Sequence, residues 1–280
     1  MKIFQPRELN KCLALLAELS GRQTVILSGG TDLMPRFEQG RPLPDNLINI
    51  KYLADIQGIT ANEEGVVVGG LTTIEALRQS EIIHESFPAL WQATTDFAGV
   101  QIRNRATLAG NIANASPAAD TLPALYLYHA RIHLVSLHAA RTIRLVDFIE
   151  GPGRTILEPG ELIHSIILPQ PTGVSRFYKL GLRDAMAIAV ASYAIRYNHS
   201  AEQITDLEIT AGAVAPTIVF LDTLTEMVLA HEENPVLWDQ AIQRDIAPID
   251  DVRATAKYRR KVLSNLIVHE LQHLQVGAYE

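Results

Sequence analysis

The chain has 280 residues, of which 48% are hydrophobic and 20% charged, with a formal net charge of −7. That is enough apolar chain for one large or two moderate globular domains, and it excludes an intrinsically disordered protein. The excess of acid argues against a nucleic-acid surface, which normally shows a basic stripe.

The opening MKIFQPREL lacks a signal-type apolar segment, and no later stretch approaches a membrane span, so a cytoplasmic location is expected. Glu8 to Leu19 has helical periodicity and contains the one cysteine, Cys12, which reads as a packing residue. A single thiol excludes an intrachain disulfide, a four-cysteine zinc site and an iron–sulfur cluster. Thr24 to Leu27 is a short buried strand that runs into Ser28-Gly29-Gly30-Thr31-Asp32, and a helical turn follows at Asp32 to Glu38. Leu47 to Ile50 and Val66 to Val68 are further strands, and Thr72 to Gln79 is a helix with Thr72 or Thr73 as N-cap. Ile82 to Phe97 is mostly helical.

ATLAGNIANASPAAD, Ala106 to Asp120, then reads as a loop of small, hydrogen-bonding residues. Thr121 to His129 is a helix, and Arg131 to Ser136 and Glu161 to Leu168 are strands. Pro169 to Gly173 (PQPTG) is the clearest linker. Strand-like runs at Ala187 to Tyr197 and Ile204 to Val214 follow, then helical patterns at Asp222 to His231, Leu237 to Arg244 and Ala254 to Gln275. The basic cluster Arg259-Arg260-Lys261 falls on the last of these and reads as its solvated face. Helices and strands mix without a regular βαβ rhythm, which predicts an α+β protein in two domains.

Two stretches stand out for what they lack. Ser28 to Asp32 and Ala106 to Asp120 are built of small residues and carry no lysine or arginine. Glycine lets a backbone turn with positive φ and approach a ligand closely, and exposed amides there can hold an anion. Thr107, Asn111, Asn114 and Ser116 add neutral donors and acceptors, while Gly110 and the alanines leave room. This chemistry suits a large polar cofactor held by hydrogen bonds. An ordinary small-residue connection is the alternative reading, with Asp120 as a simple N-cap.

SGGTDL, FAGVQIRNRATLAGNIANASPAAD and FYKLGLRDAMAIAVAS resemble the FAD-binding subunit of molybdenum hydroxylases, the family that includes the xanthine and carbon monoxide dehydrogenases. GAVAPT and DVRATAKYRR resemble the family's C-terminal domain, so the likeness runs nearly end to end. It implies a two-subdomain FAD-binding domain of the vanillyl-alcohol-oxidase/PCMH type over residues 1–170, with subdomains of roughly 1–55 and 56–170. A smaller α+β domain of the CO dehydrogenase flavoprotein type is implied over 174–280. By position, Ile26, Leu27, Ser28, Gly29, Gly30, Thr31 and Asp32 would line the diphosphate. Thr107, Gly110, Asn111, Asn114 and Ala119 would form a second cofactor loop, with Asp120 at a sugar or ribityl hydroxyl. Phe97 and Ile163 match apolar positions flanking a cofactor ring. Lys179 matches a lysine that reaches the flavin, and Arg183 lies in the segment Leu180 to Ala187, where nicotinamide enters in NAD-linked members.

The resemblance further implies an oxidoreductase subunit passing electrons from [2Fe–2S] clusters on a small partner subunit, through FAD, to NAD or another acceptor. Molybdopterin would sit on a large partner subunit, in a dimer of heterotrimers, and this chain would hold no metal. Ala109 departs from the family, standing where glycine is common, so a Cβ must fit there. A self-sufficient FAD-dependent oxidase and a non-catalytic scaffold of the same fold are the rival readings. A third rival is HELQH at His269 to His273, which matches the zinc-peptidase HExxH pattern but falls on an amphipathic helix with little chain after it to supply a third ligand.

Overall fold

The computed structural model describes residues 1–183, 186–200 and 203–276, and the chain forms two compact units. The first unit comprises residues 1–80, 99–115 and 129–170. It opens with a three-stranded parallel sheet ordered Lys2–Phe4, Asn46–Asn49, Thr24–Leu27. The helix Leu9–Glu18 turns Cys12, Leu13 and Leu16 inward onto a cluster with Ile48, Ile50, Leu53 and Ile56. Cys12 is fully buried, and burial pushes its thiol up to about 11, which fits a packing role.

A five-stranded antiparallel sheet forms the rest of this unit, ordered Ile59–Asn62, Gly65–Gly69, Leu162–Leu168, Arg131–Val135, Ala140–Arg144. Its central strand, LIHSIIL, is apolar on both faces because both are covered. The edge strands ITAN and ARTIR carry no such apolar signal. They are absent from the sequence reading because edge pairing with a neighbour, more than burial, holds them.

The second unit comprises residues 81–98, 116–128 and 171–280, of which those named above are described. Its sheet is antiparallel, ordered Val174–Leu180, Ala191–Ser200, Gln203–Gly212, Val219–Phe220. Tyr193, Ile195 and Tyr197, alternating along one strand, and Leu207, Ile209 and Ala211 on the next, pack under three helices: Asp222–Leu229, Pro235–Asp245 and Ala256–Val276. The helices Pro88–Thr95 and Thr121–Leu127 attach to the same sheet through polar contacts. Gln92 Oε1 accepts the Phe177 amide at 2.7 Å, and the Pro123 carbonyl accepts the Thr210 hydroxyl at 2.8 Å.

Three sequence expectations need correction. The strand anticipated from Ala187 begins at Ala191, and Asp184 and Ala185 of the preceding segment lie outside the described residues. The stretch from Ala106 to Asp120 is not wholly a loop: Leu108–Asn114 is a helix that buries Leu108 and Ile112, one turn apart. Its glycine, asparagines and alanines masked that two-residue apolar stripe. Arg259 is not on a solvated face; it is 2% exposed.

Candidate functional site

In the first unit Ser28 to Asp32 meets the first part of the other small-residue stretch, residues 106–115. The strand Thr24–Leu27 delivers Ser28 and Gly29 against the chain at Arg105 and Ala106. A Cβ on Gly29 would stand 2.0 Å from the Arg105 carbonyl oxygen, so no other residue fits without moving backbone. Gly30 has φ +72°, and its carbonyl accepts the Met34 amide at 3.0 Å to open the helix Leu33–Glu38. Ile26 and Leu27 end the strand, while Thr31 and Asp32 lead into that helix.

Opposite Gly29, Thr107 caps the helix Leu108–Asn114 by accepting the Gly110 amide at 3.1 Å, and its hydroxyl lies 3.3 Å from Ser28 Oγ. Ala115 ends the helix in the left-handed conformation, φ 46°, which an alanine adopts at a cost of about 1 kcal/mol. Gly110 and Asn111 occupy the first turns, and Asn114 the last. Ala109, the departure from the family pattern, meets position 70, where glycine leaves room for its methyl group; its amide donates to the Gly70 carbonyl at 3.3 Å. Ile163, 5% exposed, lies in the central strand beside the same glycine.

Two supports for these loops are not evident from composition. Arg36 bonds Asp32 through Nε at 2.7 Å and donates from Nη2 to Asn114 Oδ1 at 2.8 Å, so one guanidinium spans both stretches. The only sequence hint is its i,i+4 spacing from Asp32. Glu75 accepts from Arg103 Nε at 2.8 Å and from Arg78 Nη2 at 2.6 Å, holding the turn that leads into Arg105. The hydrogen bonds from Arg78 and Arg103 hold the Glu75 carboxyl down at about 2.

In the second unit Lys179, near the end of the strand Val174–Leu180, donates to Asp120 Oδ2 at 2.7 Å and to the Asp96 carbonyl at 2.8 Å. Both side chains of the ion pair are at most 10% exposed. Asp120 stands at the N-cap position of Thr121–Leu127 but does not cap it; its backbone is helical and its carboxylate turns to Lys179. Burial pushes its pKa up to about 6, opposed by the Lys179 ammonium and reinforced by the Asp96 charge. The other oxygen, Oδ1, is buried with no hydrogen-bond partner. Such an orphan is costly unless something else fills it. Ala119 is buried just before it, and Phe97 precedes Ala98, whose φ is 37°. Arg183 donates to the Met186 carbonyl at 2.8 Å.

Each unit, taken by itself, offers groups that suit a polar cofactor. In one unit there is a backbone cradle that a side chain would fill, with neutral hydroxyl and amide groups around it. In the other there is a buried carboxylate with a bare acceptor oxygen, suited to a hydroxyl donor, beside a buried ammonium.

HELQH takes a different role. Leu271 is fully buried in the packing of Ala256–Val276, and Glu270, the would-be base, accepts from Arg176 at 2.9 Å. His269 and His273 lie Nε2 to Nε2 at 3.1 Å. Among the described residues no helix is long and apolar enough to cross a membrane.

Residues 1–171 match the family described as the FAD binding domain in molybdopterin dehydrogenase, and residues 176–274 match the CO dehydrogenase flavoprotein C-terminal domain. The putative xanthine dehydrogenase FAD-binding subunit of Escherichia coli K12 is 28% identical over 87% of this chain and 86% of its own length. The carbon monoxide dehydrogenase medium chain of Afipia carboxidovorans is 27% identical over 98% of this chain and 96% of its own. A solved carbon monoxide dehydrogenase from Hydrogenophaga pseudoflava, lacking the Mo-pyranopterin moiety, has a chain that superposes with a TM-score of 0.89 at 25% identity, covering 96% of this chain and 95% of that one. With its α+β fold and a family match over more than half its length, the chain belongs to the FAD-binding domains of molybdopterin dehydrogenases, continued by a CO dehydrogenase flavoprotein C-terminal domain, and is an oxidoreductase subunit.

Proposed function

We propose that this chain binds FAD and serves as the electron-transfer subunit of a xanthine-dehydrogenase-like molybdenum hydroxylase. In this reading residues 1–170 are the FAD-binding domain and 174–280 the C-terminal domain. Partner subunits carry molybdopterin and the [2Fe–2S] clusters, in a cytoplasmic dimer of heterotrimers, and NAD or another carrier is the acceptor. The observation that carries the reading is the bare Oδ1 of Asp120, a buried acceptor without a donor of its own in a chain of this family.

FAD, when bound, supplies chemistry that no side chain here has: it takes up electrons singly and releases them as a hydride. The chain's own work is to hold and tune. Ile26 to Asp32, Thr107, Gly110, Asn111 and Asn114 would bind the diphosphate and adjoining chain through amides and neutral groups, with Ile163 as apolar cover. Asp120 would accept a cofactor hydroxyl, beside Ala119 and Phe97. Lys179, with two of its three protons engaged by Asp120 and the Asp96 carbonyl, would place its ammonium in a dry setting, where it would favour negative charge developing on a reduced ring. Arg183 would take the corresponding place in the segment that receives the acceptor.

The test is expression of the chain alone and with its genomic neighbours. Bound FAD, together with copurifying molybdenum and iron–sulfur subunits, is the expected result. Bound FAD in a chain that turns over a small substrate unaided would favour the self-sufficient oxidase.

A further inference from the structure

Arg259 presents an unusual arrangement for a residue in a run of three cations. It lies in the first turn of the helix Ala256–Val276, is 2% exposed, and spends its guanidinium on three acceptors. Nη1 donates to the Val190 carbonyl at 2.6 Å and to the Ala213 carbonyl at 2.9 Å, and Nη2 donates to Asp251 Oδ1 at 2.7 Å. Asp251 is a strong anchor. Although burial opposes ionisation, hydrogen bonds from Arg253, from backbone amides and from Arg259 hold its carboxyl well below the usual range.

The two carbonyls belong to residues that close two different segments. The amide of Val190 donates to the Leu180 carbonyl at 2.7 Å, which pins the base of the segment beyond Lys179, one residue from that lysine. The amide of Ala213 donates to the Pro117 carbonyl at 2.8 Å, three residues before Asp120. Ala213 has φ 63°, a conformation an alanine holds only when its surroundings impose it. One guanidinium therefore grips both residues whose amides fix the approach to the Lys179–Asp120 ion pair.

We infer that Arg259 is a positioning residue for the cofactor site: it sets the register of the Pro117–Asp120 segment against the end of the strand that carries Lys179. The inference rests on the FAD reading for its consequence, but not for its geometry. A planar, forked donor is required, because Nη1 meets both carbonyls while Nη2, held rigidly beside it, meets the carboxylate. A lysine would keep the charge against Asp251 and lose that span.

The test uses the full chain carrying Arg259→Lys, with Trp238→Phe as a control for plain loss of stability, since Trp238 is fully buried in the same unit's core. Amide hydrogen exchange is measured without FAD, and FAD affinity is followed by flavin fluorescence from pH 5 to 8. Arg259→Lys should lose protection at Val190, Ala213 and 118–121 while the strand Ala191–Ser200 keeps it. It should also weaken FAD binding about tenfold, roughly 1.4 kcal/mol, and move the inflection in affinity set by Asp120, which faces Lys179 and Asp96, toward lower pH as water reaches the carboxylate. Trp238→Phe should lower the melting temperature and leave both the inflection and the exchange pattern in place. Wild-type exchange at Val190 and Ala213 as fast as in an open loop would overturn the inference even if Arg259→Lys fails to fold. So would an Arg259→Lys protein with wild-type exchange and affinity. A wild type that binds no FAD would instead overturn the functional reading, leaving the exchange arm to judge Arg259.

Discussion

Asp120 and Lys179 form a buried ion pair, Oδ2 to Nζ at 2.7 Å, in which the second carboxylate oxygen has no partner. A pair so placed is neither a surface ornament nor a fully satisfied core bridge. Its desolvation is only partly offset, as the raised pKa of Asp120 records.

That gives a pH signature. The Asp120 carboxyl titrates at about 6 when folded against 3.8 when free, so the native chain holds the proton that the unfolded chain gives up. This contribution to stability is fully present below pH 4 and is lost as pH rises through 6, by at most ~3 kcal/mol. The difference in unfolding free energy between wild type and Asp120→Asn should therefore change steeply between pH 4 and 6 and be level above 7. Denaturant titrations giving a difference that stays constant with pH would contradict it.

Removing the other partner has the opposite dependence on conditions. Lys179→Met leaves the Asp120 carboxylate buried and uncompensated, which should cost about 3–5 kcal/mol at pH 8. The penalty should shrink at pH 5, where Asp120 takes up a proton. In FAD-loaded protein the same change should lower the flavin midpoint potential by roughly 30 mV or more, about tenfold in a two-electron equilibrium. An unchanged potential would remove Lys179 from the flavin.

Gly29 makes a steric prediction. Gly29→Ala places a methyl group 2.0 Å from the Arg105 carbonyl and should destabilise the chain by more than about 2 kcal/mol while displacing the two small-residue stretches. Gly151→Ala, with open space at its Cβ and an ordinary φ, is the matched control and should melt like wild type.

The Glu75 clamp titrates in the usual carboxylate sense. Its pKa is lowered from 4.5 to about 2 in the fold, so its contribution is present above pH 4.5 and lost as pH falls toward 2. Glu75→Gln should cost about 2 kcal/mol at pH 7 and nothing near pH 2, and should loosen the Arg103–Thr107 turn in amide exchange. Equal cost at both pH values would mean that packing, not charge, holds Glu75.

Much of this architecture is legible in the chain. Leu9–Glu18, Thr24–Leu27 and Leu162–Leu168 announce themselves because burial of one face or of both writes a period or an apolar run. Leu108–Asn114 does not, since two apolar residues among alanine, glycine and asparagine carry too little pattern and the helix depends on its Thr107 cap. Arg259 is misread for a related reason: a cation among cations looks solvated, and only tertiary acceptors from Val190, Ala213 and Asp251 make its burial possible. Arg36 and Glu75 show only their near partners, Asp32 and Arg78, in the sequence, because their bridging partners Asn114 and Arg103 lie 78 and 28 residues away.

The most direct test of the whole account is the visible absorption spectrum of the purified chain, with any released chromophore identified after denaturation. Flavin bands, with FAD recovered in equimolar amount or restored by adding FAD to colourless protein, are the predicted result. A folded, colourless chain that shows no quenching of FAD fluorescence even at high protein concentration would contradict it.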